Sequence, residues 1–288
     1  MAAGGDEVRR SILLTMAFAV GWFVVENVFG HAISQQISLY QVVWTRYAVH
    51  LLLVALVWRK ERFWQTDRPI YQLVRSALML IMPLSFIDAI ATGAPPMRIW
   101  AGFWVAPVLI VLFGWLLNRE RATVLSLALA CVGSAAAILV VGARPATGLT
   151  PLLLTFGMAG SFAAYIAMTR SLRTERVGSN LFYTAVVPFV ALSFFMPSVW
   201  VTPDLKSLGA MAGIGGVGLF TLWILDRAAA AAPVRFGAPV VTVLAAIPAL
   251  LLLGLGATPL SMKLLAGLAV ICAVVAVSFL RSRAPTPA

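Results

Sequence analysis

The chain has 288 residues, of which 61% are hydrophobic and only 11% charged, with a formal net charge of +11. Too few polar side chains remain to coat a water-soluble globule of this length, so a soluble fold is excluded. The basic residues stand singly or in twos and threes instead of on one continuous patch, so nucleic-acid binding is set aside and contact with anionic lipid headgroups explains them.

Taken in chain order, ten apolar stretches are long enough to cross hydrocarbon, which needs roughly 20 residues of helix. They predict spans near 11–31, 39–58, 73–93, 98–118, 122–142, 150–169, 179–199, 207–226, 232–254 and 261–280. All ten are expected to be helices, because backbone facing lipid must satisfy its own hydrogen bonds. The first span follows a short polar leader and carries Glu26, with no cleavage site after a short apolar core, so it reads as a span and not as a removable signal.

Between the spans the basic residues alternate. Arg9, Arg10, Arg59, Lys60, Arg62, Arg68, Arg75, Arg119, Arg121, Arg170, Arg173, Arg176, Arg227, Arg235, Arg281 and Arg283 fall on one side, and only Arg98, Arg144, Lys206 and Lys263 on the other. Arg46 lies inside a span. The positive-inside rule then predicts that both termini are cytoplasmic.

An internal echo divides the chain. Asp88, six residues before Ala94 and Pro95 with a span following, is repeated by Asp226 before Ala232 and Pro233. The offset is 138 residues. Five spans precede and five follow the connection near Arg144, and an odd number of crossings inverts the second group. Two five-helix repeats, 1–143 and 144–288, are therefore expected, the layout of secondary transporters with a solute site near the bilayer middle.

Phe86-Ile-Asp88-Ala89, Ala106-Pro107-Val108, Asn118-Arg-Glu120-Arg-Ala-Thr123, Gly133 and Arg46 then carry a resemblance. Over nearly its whole length the chain resembles the EamA-type ten-helix transporters of the drug/metabolite transporter superfamily. The turn at 118–123 is similar to that family's acidic-plus-basic turn between spans four and five. The second copy is degenerate: Pro239 and Thr258 are present, but Gly254-Leu-Gly256-Ala stands where an acidic turn is expected, and no arginine of span seven matches Arg46. The resemblance implies export or exchange of small metabolites, including amino acids.

Polar groups at lipid depth are costly unless paired or wet. Glu26, Arg46 and Asp88 each lie roughly 8–9 Å below the same boundary at 1.5 Å per residue, which predicts an ion-pair cluster joining spans one to three. Two readings stand: Glu26 and Arg46 neutralise each other as a gate, or Arg46 takes a substrate carboxylate while Glu26 or Asp88 carries a coupling proton. His50, four residues beyond Arg46, shares its face. Asp226 is read as the inverted counterpart of Asp88, at the membrane interface.

Among the aromatics, Trp100, Trp104, Tyr165 and Trp223 are the expected apolar walls of a solute passage, with Trp100 and Trp104 stacked at i and i+4. Pro107 and Pro239 free backbone carbonyls and allow their helices to bend. Glycines 209, 213, 215, 216 and 218 of span eight are expected to let helices approach closely within one protomer.

Other chemistries find no support in the sequence. It has no Gly-Lys-Ser/Thr phosphate loop, no clustered catalytic groups and no metal-ligand set, so neither an enzyme nor a cofactor is expected. The expected partners are a small-molecule substrate and membrane lipids, with the protein a monomer or homodimer. Hydrophobic or aromatic amino acids are the favoured solutes; a broad multidrug extruder and an enzyme acting on a lipid carrier are the alternatives.

Overall fold

The computed structural model describes residues 3–283. In order the helices are α1 (Ala3–Val24), α2 (Leu39–Val57), α3 (Pro69–Ala91), α4 (Pro96–Phe103), α5 (Ala106–Asn118), α6 (Val124–Val141) and α7 (Leu149–Ser171). They continue as α8 (Val177–Ser193), α9 (Met196–Val199), α10 (Leu205–Ala231), α11 (Val234–Val240), α12 (Val243–Gly254) and α13 (Met262–Arg283). Beyond α1 the chain widens into a π turn, Val25–Phe29, and a 3-10 turn, Gly30–Ala32.

Among the described residues nine helical stretches are long and apolar enough to cross a membrane, α4 with α5 and α11 with α12 each counting as one. The burial pattern agrees, since it is inverted relative to a soluble protein. Leu52, Leu56, Leu116, Val124, Phe194 and Leu280 are exposed, whereas Gln41, His50, Gln72, Arg75, Ser76 and Thr184 are completely buried. This is a multi-pass helical membrane protein.

The stretch expected to span 179–199 is the short one. Helix α8 stops at Ser193, and Pro197 explains the stop, because it lacks an N–H and its ring would press on the carbonyl four residues earlier. Ends elsewhere are set by side chains. Ser38 accepts the Tyr40 N–H at the start of α2, Thr123 and Ser126 form a reciprocal box at the start of α6, and Asp204 accepts the Ser207 N–H at the start of α10.

Two helices extend further than hydropathy predicts. Helix α3 begins at Pro69 instead of 73, and α10 runs to Ala231 instead of 226, so that Arg75 and Asp226 lie inside their helices. Arg75, expected among the interfacial cations, is fully buried.

The breaks in the fourth and ninth spans repeat at the 138-residue offset. Pro95 caps α4 and Pro233 caps α11, both extended, at φ −60° ψ 136° and φ −54° ψ 140°. Each short helix then yields to a longer one after two residues, at Trp104–Val105 and at Val241–Thr242. Packing follows the same exchange. Helix α3 packs on α7 as α10 packs on α1, α2 on α10 as α8 on α3, and α5 on α7 as α12 on α1. Pairs α2 with α8 and α6 with α13 map onto themselves under that exchange.

The span-eight glycines divide by the room around them. A Cβ on Gly215 would lie 2.4 Å from Val49 Cβ, and one on Gly213 would lie 2.5 Å from the Phe29 ring, so these two are close-approach points within the protomer. Gly209 and Gly216 face open space.

Candidate functional site

Two polar regions lie at different depths, and they differ in whether their charges are paired. The first is near the Arg-rich end. Arg75, six residues into α3, sits about 9 Å from that helix's start, and Asp226 about 8 Å from the end of α10. Arg75 Nη1 lies 3.3 Å from Asp226 Oδ2. The same nitrogen donates to Thr169 Oγ1 at 3.0 Å and Tyr165 Oη at 3.3 Å, while Nη2 donates to the Asn180 carbonyl and to Thr184 Oγ1, both at 2.7 Å. Tyr165 donates its own hydroxyl to Asp226 Oδ1 at 2.5 Å, and its ring lies 5.0 Å from the Arg75 guanidinium. Gln72 Nε2 donates to Asn180 Oδ1 at 2.5 Å.

This layer joins α3, α7, α8 and α10 around one guanidinium. Burying such a charge is tolerable only when its hydrogens are used and a counter-charge is close. A few residues further toward the Arg-rich end, Glu120 Oε2 accepts the Val234 N–H at 2.6 Å, at the start of α11. Glu120 Oε1 lies 3.4 Å from Arg170 Nε, and Arg170 also donates to the Ala230 carbonyl. Asn118 donates to the Ala167 carbonyl at 3.0 Å and accepts from Ser171. The acidic turn thereby fastens the α5–α6 connection to α7 and to the α10–α11 break. A cavity of about 30 Å³, lined by Ser11, Thr15, Ile110, Leu225, Ala228 and Val241 among others, lies near this end. It is large enough for a water and too small for a metabolite.

The second region is on α2, about 10 Å from its opposite end. Arg46 is half-buried, with its guanidinium 5.3 Å from the Trp22 ring centroid and 5.6 Å from that of Tyr47. Among the described residues it makes no ion pair, and its Nε is buried without a hydrogen-bond partner. His50 is fully buried with neither ring nitrogen partnered, and meets Tyr47 edge-on at 5.5 Å. Tyr47 is held by donating its hydroxyl to the Met79 carbonyl at 3.1 Å. Gly218 of α10 closes the group.

The expected Glu26–Arg46–Asp88 cluster does not form. Glu26 falls in the π turn, which rotates it off the helical face, and it is exposed. Asp88 accepts the Tyr40 hydroxyl at 2.5 Å instead. Each of the two aspartates related by 138 residues thus takes a tyrosine proton donor, Tyr40 for Asp88 and Tyr165 for Asp226. Asp226 is itself a correction: it is buried inside the protein, not interfacial, because Arg75 and Tyr165 replace the water it would lose.

The expected aromatic walls are redistributed. Tyr165 is wholly buried in the Arg75 layer and lines no open passage. Trp100 and Trp104 do not stack on one another, because α4 ends at Phe103 and Trp104 belongs to the break. Phe103 stands between them, 5.3 and 5.4 Å from the two rings, and also packs on Phe162. Trp104 is buried. Trp223 is half-buried, its ring tilted 34° to that of the exposed Phe220 at 5.7 Å, with Arg227 over it. Pro107 stands in the first turn of α5, so it starts a helix instead of bending one, and Pro239 lies one residue before the end of α11.

Arg75, Thr169, Asn180, Thr184 and Gln72 were not singled out by sequence. Equal depth is the signal that finds the central pair: Arg75 lies as far from the Arg-rich end of span three as Asp226 does from that of span eight.

No protein-family model and no curated protein matches the chain. Solved structures do: 28 chains match, among them a crystal structure of a protein superposing with a TM-score of 0.77 at 20% identity, over 96% of this chain and 99% of that one. At that identity the likeness establishes a shared fold.

Proposed function

We propose that this protein is a secondary transporter of small metabolites that works by alternating access. The carrying observation is the contrast between its two polar layers. At the Arg-rich end the Arg75–Asp226–Tyr165 layer, in which both terminal guanidinium nitrogens are hydrogen-bonded and the charge has a counter-charge, joins four helices. Toward the other end Arg46 holds a cation with no counter-charge beside an unpartnered histidine. One end is locked and the other has binding capacity unused, as in a carrier halted with its site facing one side.

The exchange relation in the helix packing and the matching breaks support two inverted five-helix halves, 1–143 and 144–288, in the manner of the EamA-type drug/metabolite transporters. The locked end is then cytoplasmic, with both termini, in a bacterial inner membrane. Export of amino acids, hydrophobic or aromatic ones first, fits the single deep unpaired cation of Arg46 and the rings of Trp22, Tyr47 and Trp100 near the same depth. No enzymatic step enters this reading.

Uptake of labelled amino acids into proteoliposomes tests it. Saturable phenylalanine uptake stimulated by preloaded unlabelled phenylalanine is expected. No uptake for any member of an amino-acid panel, with uptake of phosphorylated compounds, would overturn it.

A further inference from the structure

A third glycine of α10, Gly218, faces two polar side chains of α2. A Cβ built on Gly218 would lie 3.1 Å from Arg46 Nε and 3.2 Å from His50 Nε2. Both nitrogens therefore converge on one small patch of helix that carries no side chain. The Arg46 Nε and both His50 ring nitrogens are buried and lack a hydrogen-bond partner. Buried N–H groups left so are uncommon, since each forfeits its water without replacement. Here three nitrogens, of which the Arg46 Nε–H and one imidazole N–H are donors, belong to neighbouring residues on one face of α2, and the imidazole is completely buried.

The chemistry they share is that of an oxyanion site. An arginine Nε–H is a donor only, and a neutral imidazole presents one donor whose position is fixed by the tautomer. Two nitrogens that close to one point are separated by at most the sum of those two lengths, which the two oxygens of one carboxylate can bridge. Trp22 and Tyr47 hold the guanidinium from its sides, and the Tyr47 bond to Met79 fixes the turn of α2 that carries both groups. The donors are oriented before any ligand arrives, which reduces the ordering cost of binding.

We infer that Arg46 Nε and His50 Nε2, brought together over the bare backbone of Gly218, form the subsite that takes the carboxylate of a small monocarboxylate solute. Gly218 lets the two side chains close on bare backbone: a methyl there would be within 3.2 Å of both donors, tighter than ordinary van der Waals contact, and would push them off their positions. His50 separates acids from neutral relatives, because an amide places an N–H against the same two donors and leaves a buried group unpaired. This inference rests on the transporter reading for its choice of probes, and its test reads binding instead of transport.

The purified full-length protein is titrated in detergent with phenylalanine, 3-phenylpropionate and phenylalaninamide, and the apparent unfolding temperature is followed. The two acids are expected to raise it and the amide is not. Gly218→Ala and His50→Leu are expected to weaken both acids at least tenfold, while His50→Gln, which keeps a donor near Nε2, retains most of the affinity. The comparison of acid with amide in the unaltered protein stands even if a variant fails to fold. Equal shifts from acid and amide, no shift from any probe, or unchanged acid affinity in folded Gly218→Ala and His50→Leu would each overturn the site. Phenylalanine exchange in vesicles with equal binding of acid and amide retires this inference and leaves the transporter reading; acid-selective binding without exchange retires the transporter reading and supports the subsite.

Discussion

Arg75 on α3 and Asp226 on α10, 151 residues apart in the chain, meet at 3.3 Å with almost no solvent access to either. One guanidinium thereby ties the third span to the sixth, seventh and eighth through Tyr165, Thr169, Asn180 and Thr184. In the alternating-access reading proposed above, this pair is the contact that holds the Arg-rich end shut and has to break for that end to open.

Removing one partner leaves the other charge buried alone. Arg75→Ala or Asp226→Ala is expected to destabilise the protein by about 3–5 kcal/mol, the range for breaking a buried ion pair from one side. The double change Arg75→Ala with Asp226→Ala is expected to cost clearly less than the two single losses together. Chemical unfolding in detergent, arranged as a double-mutant cycle, measures the difference, and additive losses would show that the pair is not coupled.

Glu26 and Arg46 behave differently, since no ion pair joins them. Their replacement by alanine, singly and together, is expected to give a coupling energy below about 0.5 kcal/mol. Arg46→Ala alone is expected to abolish amino-acid uptake with a modest change in stability. A coupling above 2 kcal/mol in the same unfolding assay would place the two charges in contact.

Two neighbouring glycines of α10 provide an internal control for packing within the protomer. Gly215→Ala forces a Cβ to within 2.4 Å of Val49 and is expected to cost about 1–3 kcal/mol. Gly216→Ala meets nothing within 4 Å and is expected to stabilise by about 0.5–1 kcal/mol through better helix propensity. Thermal unfolding of the two variants side by side decides it, and equal effects would contradict the packing.

Glu120 links the α5–α6 turn to the start of α11 and to Arg170. Glu120→Ala is expected to cost about 1–3 kcal/mol, as expected when a buried N–H loses its acceptor. Glu120→Gln, which keeps an acceptor oxygen, is expected to fall between alanine and the unaltered protein. Unfolding midpoints of the three proteins give the order.

The membrane crossings were legible in the sequence because hydrocarbon thickness fixes the length of an apolar run, and the 138-residue echo pointed to both helix breaks. The site was legible only in part. Arg46 and His50 were found from their depth and i, i+4 spacing, but Arg75 was assigned to the interface, since hydropathy ends a span at the first charge and is blind to a partner on another helix. The same blindness set Asp226 at a boundary. Glu26 was misplaced for a local reason: the π turn at 25–29 adds a residue to the helical repeat, so a face counted at 3.6 residues per turn points elsewhere. Tyr165 was read as an apolar wall of a solute passage, because which neighbour its hydroxyl meets is a property of packing between helices far apart in the chain.

The most direct test of the central claim is the accessibility of position 184 to a membrane-impermeant thiol reagent. Thr184→Cys is introduced with Cys131 and Cys272 replaced, in vesicles of known orientation. At rest the cysteine is predicted to be protected from the Arg-rich side, and during phenylalanine exchange it is predicted to become labelled from that side. Labelling from that side at rest, or protection that persists while exchange proceeds, would contradict a layer that closes one end of the protein and opens in each transport cycle.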